Sequence, residues 1–440
     1  MSRSPPKPVL MPLRVNTIPD PIRIDAFKAL LDLDGRDHVC GKADIDDRGR
    51  YSDRACSPEE TFSRVSPLLP RYGVTRLARQ TGLDHVGIPV WSAIRPNSLS
   101  LAVNQGKGIG DSDAKISAVM EALERAVAGE PEIPSRIASR AEIQAEGLAT
   151  DSLDGLIGRD QAELTDNEAI AWVEGYDLVG TRPVWVPREA VMLDRTMATC
   201  FWQSSDGLAS GNTPLEATFH GLLERIERDA DVLWSLAKSR ERAERCTDPA
   251  IFRDVVIDDL ASKIRKAGLQ LQLFDITSNI GIPCFQALIG PGNLLERQNI
   301  GYAEAANGSG CHPDPIRAVI RAITEAAQSR LTLVSGSRDD IPDETYSRPL
   351  PKGLIEDFSF RPSPSTRKPL QADGQSLPAS LQAILQVLRQ QAIATAIAVP
   401  LNALDAEFSV VKVLVPGLES PPGARQKRFG SRALAKMLSR

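Results

Sequence analysis

The residues of this chain that are most able to do chemistry are glutamates that recur with helical spacing. Ser117, Glu121 and Glu124 stand four and then three residues apart, which places them within about 40° of one line along a helix. A second set shares a broader face of a later helix, namely Glu216, Glu224 and Glu227. Carboxylates gathered in one cleft repel each other unless a cation offsets them, and hard oxygen donors suit Mg²⁺ rather than zinc. The pattern therefore indicates a magnesium site.

Cations and uncharged polar groups accompany these acids. Magnesium usually binds phosphate oxygens in addition to a few carboxylates, so a nucleotide triphosphate is its natural companion. Lys107 and Arg321, and less directly Arg228, can pair with phosphate oxygens. Asn212 and Ser117 add uncharged ligands. These residues predict an acidic, metal-dependent phosphate site.

Two features of the sequence leave room for other interpretations than a phosphate site. The lysine lies in Gly106-Lys107-Gly108, which has neither the spacing of a Walker A loop nor that of a protein-kinase glycine loop. Glu and Arg on helices also form solvated faces held by i, i+3 and i, i+4 ion pairs, without any ligand. His220 lies between Glu216 and Glu224, and we expect a supporting role for it rather than metal ligation.

The same succession of predicted elements occurs three times along the chain and positions these residues. Strand material leads through a glycine-rich loop into a helix dense in Glu and Arg. The three loops read NQGKGIGDSDA, SSDGLASGN and NGSGCH, and the helices are predicted from residue 116 to 127, 214 to 238 and 313 to 331. Arg321, Glu325 and Gln328 share a face of the third helix. Each helix thus presents a polar stripe shortly after a glycine loop.

The remaining chain predicts an α/β protein with mixed sheets. Further helices are expected at residues 24–33, after Ser57, at 381–388 and at 431–438. Residues 169–187 predict a β-hairpin, further strands are expected at 269–277, 284–290, 394–401 and 408–415, and residues 335–376 predict a long surface loop. We divide the chain into an irregular lead-in (1–55), a main domain (56–420) and a tail with a short helix (421–440).

Composition excludes several classes of function. The net charge is −5 with no long Lys/Arg run, so a nucleic-acid partner is not expected. No stretch approaches the roughly 18 apolar residues of a membrane span, and prolines interrupt the start of the chain, so we expect a cytoplasmic protein that has no membrane partner. The six cysteines are scattered without a C-x-x-C pair, which predicts neither a zinc ribbon nor a disulfide framework.

Taken in order, the motifs resemble the YcaO family over roughly residues 76 to 332. The matching segments are Ser117-x-x-x-Glu121-x-x-Glu124-Arg125, Ser205-Asp-Gly-Leu-Ala-Ser-Gly-Asn212-Thr-x-x-Glu216, Gly221-Leu-x-Glu224-x-x-Glu227-Arg228-Asp229, Gly308-x-Gly310-x-His312 and Ala322-x-x-Glu325-Ala-x-Gln328. The combined pattern is specific to the family, although each segment alone is short.

The resemblance implies the YcaO fold, in which these motifs surround ATP and Mg²⁺, often in a homodimer. By motif position, the expected magnesium carboxylates are Glu121, Glu124, Glu216, Glu224 and Glu227. The expected nucleotide contacts are Ser117, Asn212, Arg228, Arg321 and Glu325, with Lys107 as a further phosphate contact. The implied activity is phosphorylation of a backbone amide oxygen in a peptide or protein substrate, which turns a poor leaving group into phosphate. No general base is identified.

The nucleophile then decides the product. Residues 73–98, followed by Gln-Gly-Lys-Gly, are similar to the branch partnered by TfuA-like proteins, some of which are linked to thioamide formation with a sulfide donor. The chain ends in Arg-Ala-Leu-Ala-Lys-Met-Leu-Ser-Arg rather than in the proline-rich tail common in azoline-forming members. We therefore favour thioamide formation. The alternatives are an azoline-forming cyclodehydratase that acts on Cys, Ser or Thr, and a non-catalytic accessory protein.

Overall fold

The structure is a computed structural model that describes residues 24–31, 50–362, 376–421, 423 and 429–439. The helices of the described residues are α1 (Ile24–Leu30), α2 (Pro58–Val65), α3 (Asp111–Gly129), α4 (Arg140–Ala145), α5 (Arg188–Val191), α6 (Pro214–Ser235), α7 (Ser239–Glu244), α8 (Val255–Lys266), α9 (Pro315–Ser335), α10 (Glu344–Ser347), α11 (Lys352–Asp357), α12 (Leu377–Gln390) and α13 (Ser431–Leu438).

The strands of the same residues are β1 (Arg76–Arg79), β2 (Val90–Ile94), β3 (Val103–Lys107), β4 (Arg136–Ala138), β5 (Ile170–Asp177), β6 (Arg182–Pro187), β7 (Leu208–Gly211), β8 (Cys246–Thr247), β9 (Leu269–Asp275), β10 (Cys284–Pro291), β11 (Ala306–Cys311), β12 (Ile397–Pro400) and β13 (Ser409–Leu414).

Three sheets carry the architecture. One has the order β1-β2-β3, a second has the order β11-β10-β9-β8, and the third has the order β4-β5-β12-β13-β7 with β6 paired to β5. Every strand pair in these sheets is antiparallel. The expectation of an α/β protein is confirmed, whereas the expectation of mixed sheets is wrong because consecutive strands mostly return beside one another as hairpins.

Three strand-and-helix units position the predicted polar faces. Helix α3 packs on β3 and β2, α6 packs on β7 and β13, and α9 packs on β11 and β10. Leu123 of α3, Ile226 of α6 and Ile323 of α9 are fully buried beneath their sheets. The apolar sides of the three helices are therefore committed to the cores, and their polar sides are left to meet each other.

The prediction of loops for the glycine-rich segments before these helices is wrong in part, because each segment contains a strand. Asn104–Lys107 lies in β3, Leu208–Gly211 forms β7 and Ala306–Cys311 forms β11, whereas residues 108–110 and 204–207 lie outside the strands. A Cβ added at Gly106 would collide with the backbone of Ala118, and one at Gly308 would collide with the backbone of Ala326. The glycines allow the helix to approach the strand closely. In the sequence such glycines look like turn residues, because the helix that requires them is not visible there.

Local signals predict the starts of α2, α6 and α9 closely, whereas α3 begins at Asp111, ahead of the predicted residue 116. Ser57 and Glu60 form a reciprocal capping box at α2, as the Ser-Pro-Glu-Glu segment indicates. Thr213 caps α6 and Asp314 caps α9, each followed by a proline in the first turn. The β-hairpin (β5 and β6), the strands β9, β10, β12 and β13, and the helices α1, α12 and α13 are confirmed. These features depend on neighbours in sequence, which explains why they could be predicted.

Other expectations differ from the structure or lie outside it. The predicted surface loop contains α10 and α11, and its residues 363–375 lie outside the described residues. Most of the irregular lead-in also lies outside them, except α1 and residues 50–55. Over the described ranges, none of the helices combines the length and apolar character that crossing a membrane requires. The domain boundaries and the homodimer stay predictions.

Candidate functional site

A cavity of about 1730 Å³ lies where α3, α6 and α9 meet, and nearly all of the predicted site residues line it. From the three helices come Ser117, Glu121, Glu124, Glu224, Glu227, Arg228, Arg321 and Glu325, and from the strands and following turns come Lys107 and Asn212. Glu216 is not part of the wall. Three elements far apart in sequence therefore bring their polar faces to one place.

Helix α3 contributes two carboxylates that differ in their partners. Glu121 forms an ion pair with Arg125 at 3.1 Å and accepts a hydrogen bond from the backbone N–H of Gln105 at 3.0 Å. Glu124 accepts a hydrogen bond from the Ser210 hydroxyl at 3.1 Å and has no ion pair with the described residues. Burial, together with the nearby Glu121 and Glu224, raises the pKa of Glu124 well above its usual value. Glu124 is thus a carboxylate whose positive neighbour, Arg125, does not form an ion pair with it among the described residues.

Helix α6 contributes two more carboxylates that share one guanidinium. Arg228 lies 3.3 Å from Glu224 and 3.7 Å from Glu227. Burial raises the pKa of Glu224, and it raises the pKa of Glu227 to about 7 with a further contribution from Glu325. One arginine therefore does not neutralise this part of the cavity.

Helix α9 and strand β3 meet through an ion pair. Lys107 pairs with Glu325, which also accepts a hydrogen bond from the backbone N–H of Ser309 at 3.4 Å. Lys107, Arg228 and these hydrogen bonds outweigh burial and hold the pKa of Glu325 below its usual value. Glu325 consequently ionises more readily than Glu124, Glu224 and Glu227, whose pKa values are raised.

The structure places Glu216 apart from the other four predicted magnesium carboxylates. It is fully buried and accepts hydrogen bonds from the backbone N–H of Asn212 at 2.9 Å and from the backbone N–H of Ala55. Arg54 approaches it at 3.4 Å. Asn212 is engaged as well, because its side-chain oxygen accepts from Arg64 at 2.7 Å. In this structure Glu216 therefore serves to hold the segment before α2.

Sequence reasoning missed that segment, residues 50–57, which lines the cavity. Its Asp53 binds His312 at 2.7 Å and also pairs with Arg317. These partners lie more than 250 residues further along the chain. Irregular sequence rich in Arg and Asp resembles a solvated lead-in, and the sequence contains no signal that predicts its return to the site.

Two charged residues beside the cavity were also missed. Asp231 accepts a hydrogen bond from Ser309 at 2.7 Å, and burial raises its pKa to about 7. Lys412 is buried in β13 and donates to the backbone oxygens of Ser204 and Asp206, while burial lowers its pKa to about 8. The signals were present, since Asp231 is one turn beyond Glu227 and Lys412 interrupts an apolar strand.

The donor set is chemically suited to a divalent cation, although no three Asp, Glu, His or Cys side chains of the described residues stand close enough together to hold one as they are placed. Glu124, Glu224 and Glu227 reach one cavity from two helices and have raised pKa values, and Arg228 is shared by Glu224 and Glu227. A bound cation would favour the ionised forms of these acids. Their oxygen donors are the type that Mg²⁺ prefers.

The family model described as YcaO cyclodehydratase, ATP- and Mg²⁺-binding, matches residues 105–419. The chain belongs to the YcaO family. The resemblance read from the motifs, the fold class and the cofactors ATP and Mg²⁺ are thereby confirmed. The match covers α3, α6 and α9 and the strands β7, β10, β11 and β13 in full, and it begins within β3.

Relatives of this YcaO protein extend over most of its length. A protein of Rhizobium leguminosarum bv. trifolii, described as an uncharacterized protein in the tfuA 3' region, is 40% identical over 398 residues, which are 87% of this chain and 93% of that protein. An uncharacterized protein of Methanothermobacter thermautotrophicus is 34% identical over 378 residues, covering 83% and 95% of the two chains.

Solved structures show the same fold. YcaO from Methanopyrus kandleri, bound with AMPPCP and Mg²⁺, superposes with a TM-score of 0.62 at 23% identity and covers 83% of this chain and 92% of that one. A heterocyclase in complex with substrate and cofactor gives a TM-score of 0.67 at 21% identity over 83% of this chain. This YcaO chain spans about half of that heterocyclase, 53% of its length.

Proposed function

We propose that this protein is an ATP- and Mg²⁺-dependent enzyme that phosphorylates a backbone amide oxygen of a peptide or protein. Family membership supports the use of ATP and Mg²⁺. The observation that carries the proposal is Glu124, a partly buried acid with a raised pKa and no ion pair in the described chain, which faces the cavity beside Glu224 and Glu227. Such an arrangement favours a bound cation.

Each wall of the cavity has a distinct part in this proposal. Glu121, Glu124, Glu224 and Glu227 would hold magnesium, and Glu216 would join them only by releasing Arg54 and Ala55. Lys107, Arg228 and Arg321 would hold phosphate oxygens, with Ser117 and Asn212 beside them. ATP supplies the phosphoryl group that converts the amide oxygen into a leaving group. Glu325 would orient Lys107 through their ion pair.

We further propose that the product is a thioamide, made with a TfuA-like partner and a sulfide donor. Support comes from the Rhizobium relative, which is described by its position in the tfuA 3' region. Azoline formation is the second candidate, because the matching family is described as a cyclodehydratase. The cavity is large enough for more than a nucleotide, since sites for small ligands usually occupy about 300 to 1,000 Å³.

The experiment combines purified protein with ATP, Mg²⁺, a candidate peptide, a TfuA-like protein and sulfide. ADP release and intact peptide mass are followed together. Replacement of oxygen by sulfur supports the thioamide, loss of one water supports the azoline, and ADP release without a change in peptide mass supports neither. Failure to bind Mg²⁺ and a non-hydrolysable ATP analogue would overturn the proposed function itself. The Glu124→Gln variant is the negative control.

A further inference from the structure

His220 connects the second and third strand-and-helix units within the cavity. It lies on α6, one turn after Glu216 and one turn before Glu224, and its Nδ1 accepts a hydrogen bond from Arg321 of α9 at 3.2 Å. A guanidinium has only donors, so Nδ1 carries no proton and the proton of the neutral ring is on Nε2. The contact therefore fixes the tautomer.

The second ring nitrogen of His220, Nε2, forms no hydrogen bond with the described residues. This nitrogen is also shielded from solvent. A buried donor without a partner is costly and needs an explanation. Burial, followed by the charges of Arg54 and Arg321, holds the pKa of His220 well below its usual value, with His312 adding to this and Asp53 opposing it. The ring is a neutral acceptor.

A neutral acceptor has a consequence for Arg321. Its guanidinium donates to His220 and to the backbone oxygen of Cys311 at 3.3 Å, and both of these acceptors are uncharged. No ion pair of Arg321 occurs among the described residues. Lys107 and Arg228, in contrast, are each paired with at least one carboxylate of the cavity. Arg321 is thus held at the wall by two neutral acceptors rather than by a carboxylate.

Alternative residues at position 220 would not achieve this. A carboxylate would hold Arg321 but neutralise it. An apolar residue would leave the guanidinium of Arg321 free to turn toward Glu227. The two groups are close enough that the charge of Arg321 already lowers the pKa of Glu227. A neutral acceptor on the opposite helix holds Arg321 in place and also leaves its positive charge available.

We propose that His220 is a positioning residue of the nucleotide site, which directs Arg321 toward a phosphate without neutralising it. The inference rests on the proposed function, because the phosphate is that of the bound nucleotide. His220 itself contacts neither the nucleotide nor the metal. Its effect passes entirely through Arg321.

The test measures binding of a non-hydrolysable ATP analogue with Mg²⁺ by calorimetry, together with KM for ATP and kcat. His220→Asn keeps an acceptor at the Nδ1 position, whereas His220→Gln moves its amide to the Nε2 position and His220→Leu removes both. We expect Asn to retain affinity within about threefold. Gln and Leu should lose affinity by on the order of tenfold to hundredfold, mainly as a higher KM, because Arg321 is misplaced.

A double-mutant cycle with Arg321→Ala identifies the route of the effect. If His220 acts through Arg321, the losses in His220→Gln and Arg321→Ala do not add. Additive losses, or wild-type affinity in His220→Gln, would overturn the inference. Thermal melting without ligand checks that each variant folds. If His220→Leu does not fold, the comparison of His220→Asn with His220→Gln still tests the role of His220. A wild-type protein that binds no analogue contradicts the proposed function instead, so the two failures are distinguishable.

Discussion

Lys107 at the end of β3 forms an ion pair with Glu325 on α9, across 218 residues of sequence. Both were predicted to contact the nucleotide, and in the structure they contact each other. The pair joins the first and third strand-and-helix units at the wall of the cavity. Lys107 therefore keeps Glu325 ionised, and under the proposed function it would also offer positive charge to a phosphate.

The first prediction concerns this pair. Lys107→Met should raise the pKa of Glu325, because Lys107 is the largest of the influences that lower it. Loss of the cation should also weaken nucleotide binding by about tenfold, as expected for a charge-assisted contact. Calorimetry at several pH values with the ATP analogue measures both effects. The matched control is Lys263→Met, which removes the i, i+4 partner of Asp259 at the surface. It should change neither the pKa of Glu325 nor nucleotide binding.

The second prediction concerns Glu124. Glu124→Gln keeps the hydrogen bond to Ser210 but removes the acid that has no cation partner among the described residues. The metal-free protein should melt at the same or a higher temperature, because a buried charge with a raised pKa is eliminated. Mg²⁺-dependent nucleotide binding should be abolished. Glu132→Gln, at an exposed ion pair with Arg71, should bind normally, and retained binding in Glu124→Gln would contradict the metal assignment.

The third prediction concerns pH. Burial and Glu325 raise the pKa of Glu227 from 4.5 to about 7, although Arg228 and Lys107 oppose the shift. The folded protein then binds more protons than the unfolded chain between these values, so the metal-free protein loses stability as the pH rises from about 4.5 to about 7. The shift sets an upper limit of about 3 kcal/mol on this effect.

The measurement is urea unfolding at pH 5 to 8, with and without Mg²⁺. Glu227→Gln should flatten the pH dependence of the metal-free protein. Added Mg²⁺ should stabilise the wild type more at the upper end of this range than at the lower end, since the metal binds the ionised acid. A dependence of the same slope in wild type and variant would show that other groups are responsible.

The fourth prediction separates a structural acid from the site. Asp229 follows Arg228 in the family motif, yet it is fully buried and binds Arg432 through two hydrogen bonds of 2.8 Å and the backbone N–H of Glu419 at 3.0 Å. Asp229→Asn should cost about 3 kcal/mol or more of unfolding free energy, because a buried ion pair is broken. Asp259→Asn, at an exposed pair with Lys263, should cost less than about 0.5 kcal/mol.

The fifth prediction concerns close packing of a strand on a helix. Gly308→Ala places a methyl group against the backbone of Ala326 and Glu325. The displacement should cost about 1 to 3 kcal/mol of stability and should also weaken nucleotide binding, because Glu325 must move. Gly82→Ala faces open space and should do neither. Thermal melting and calorimetry on both variants compare the two effects.

The sequence by itself determined the three long helices of the cavity, the hairpin and most of the predicted residues that line the cavity. Spacing places Glu121 and Glu124 on one face, and caps such as Thr213 mark where helices begin. These features arise between neighbours in the chain, because helix periodicity and capping act over a few residues.

Only the tertiary structure decided which groups meet. The glycines of β3 and β11 look like loop residues in the sequence, and only the packing of α3 and α9 shows why they are needed. The sequence also gives no sign that Arg54 and the backbone N–H of Ala55 reach Glu216. His220 likewise acquires a role only through Arg321, 101 residues away. Charge compensation and close contact between distant segments depend on three-dimensional distance, which residue spacing along one chain does not record.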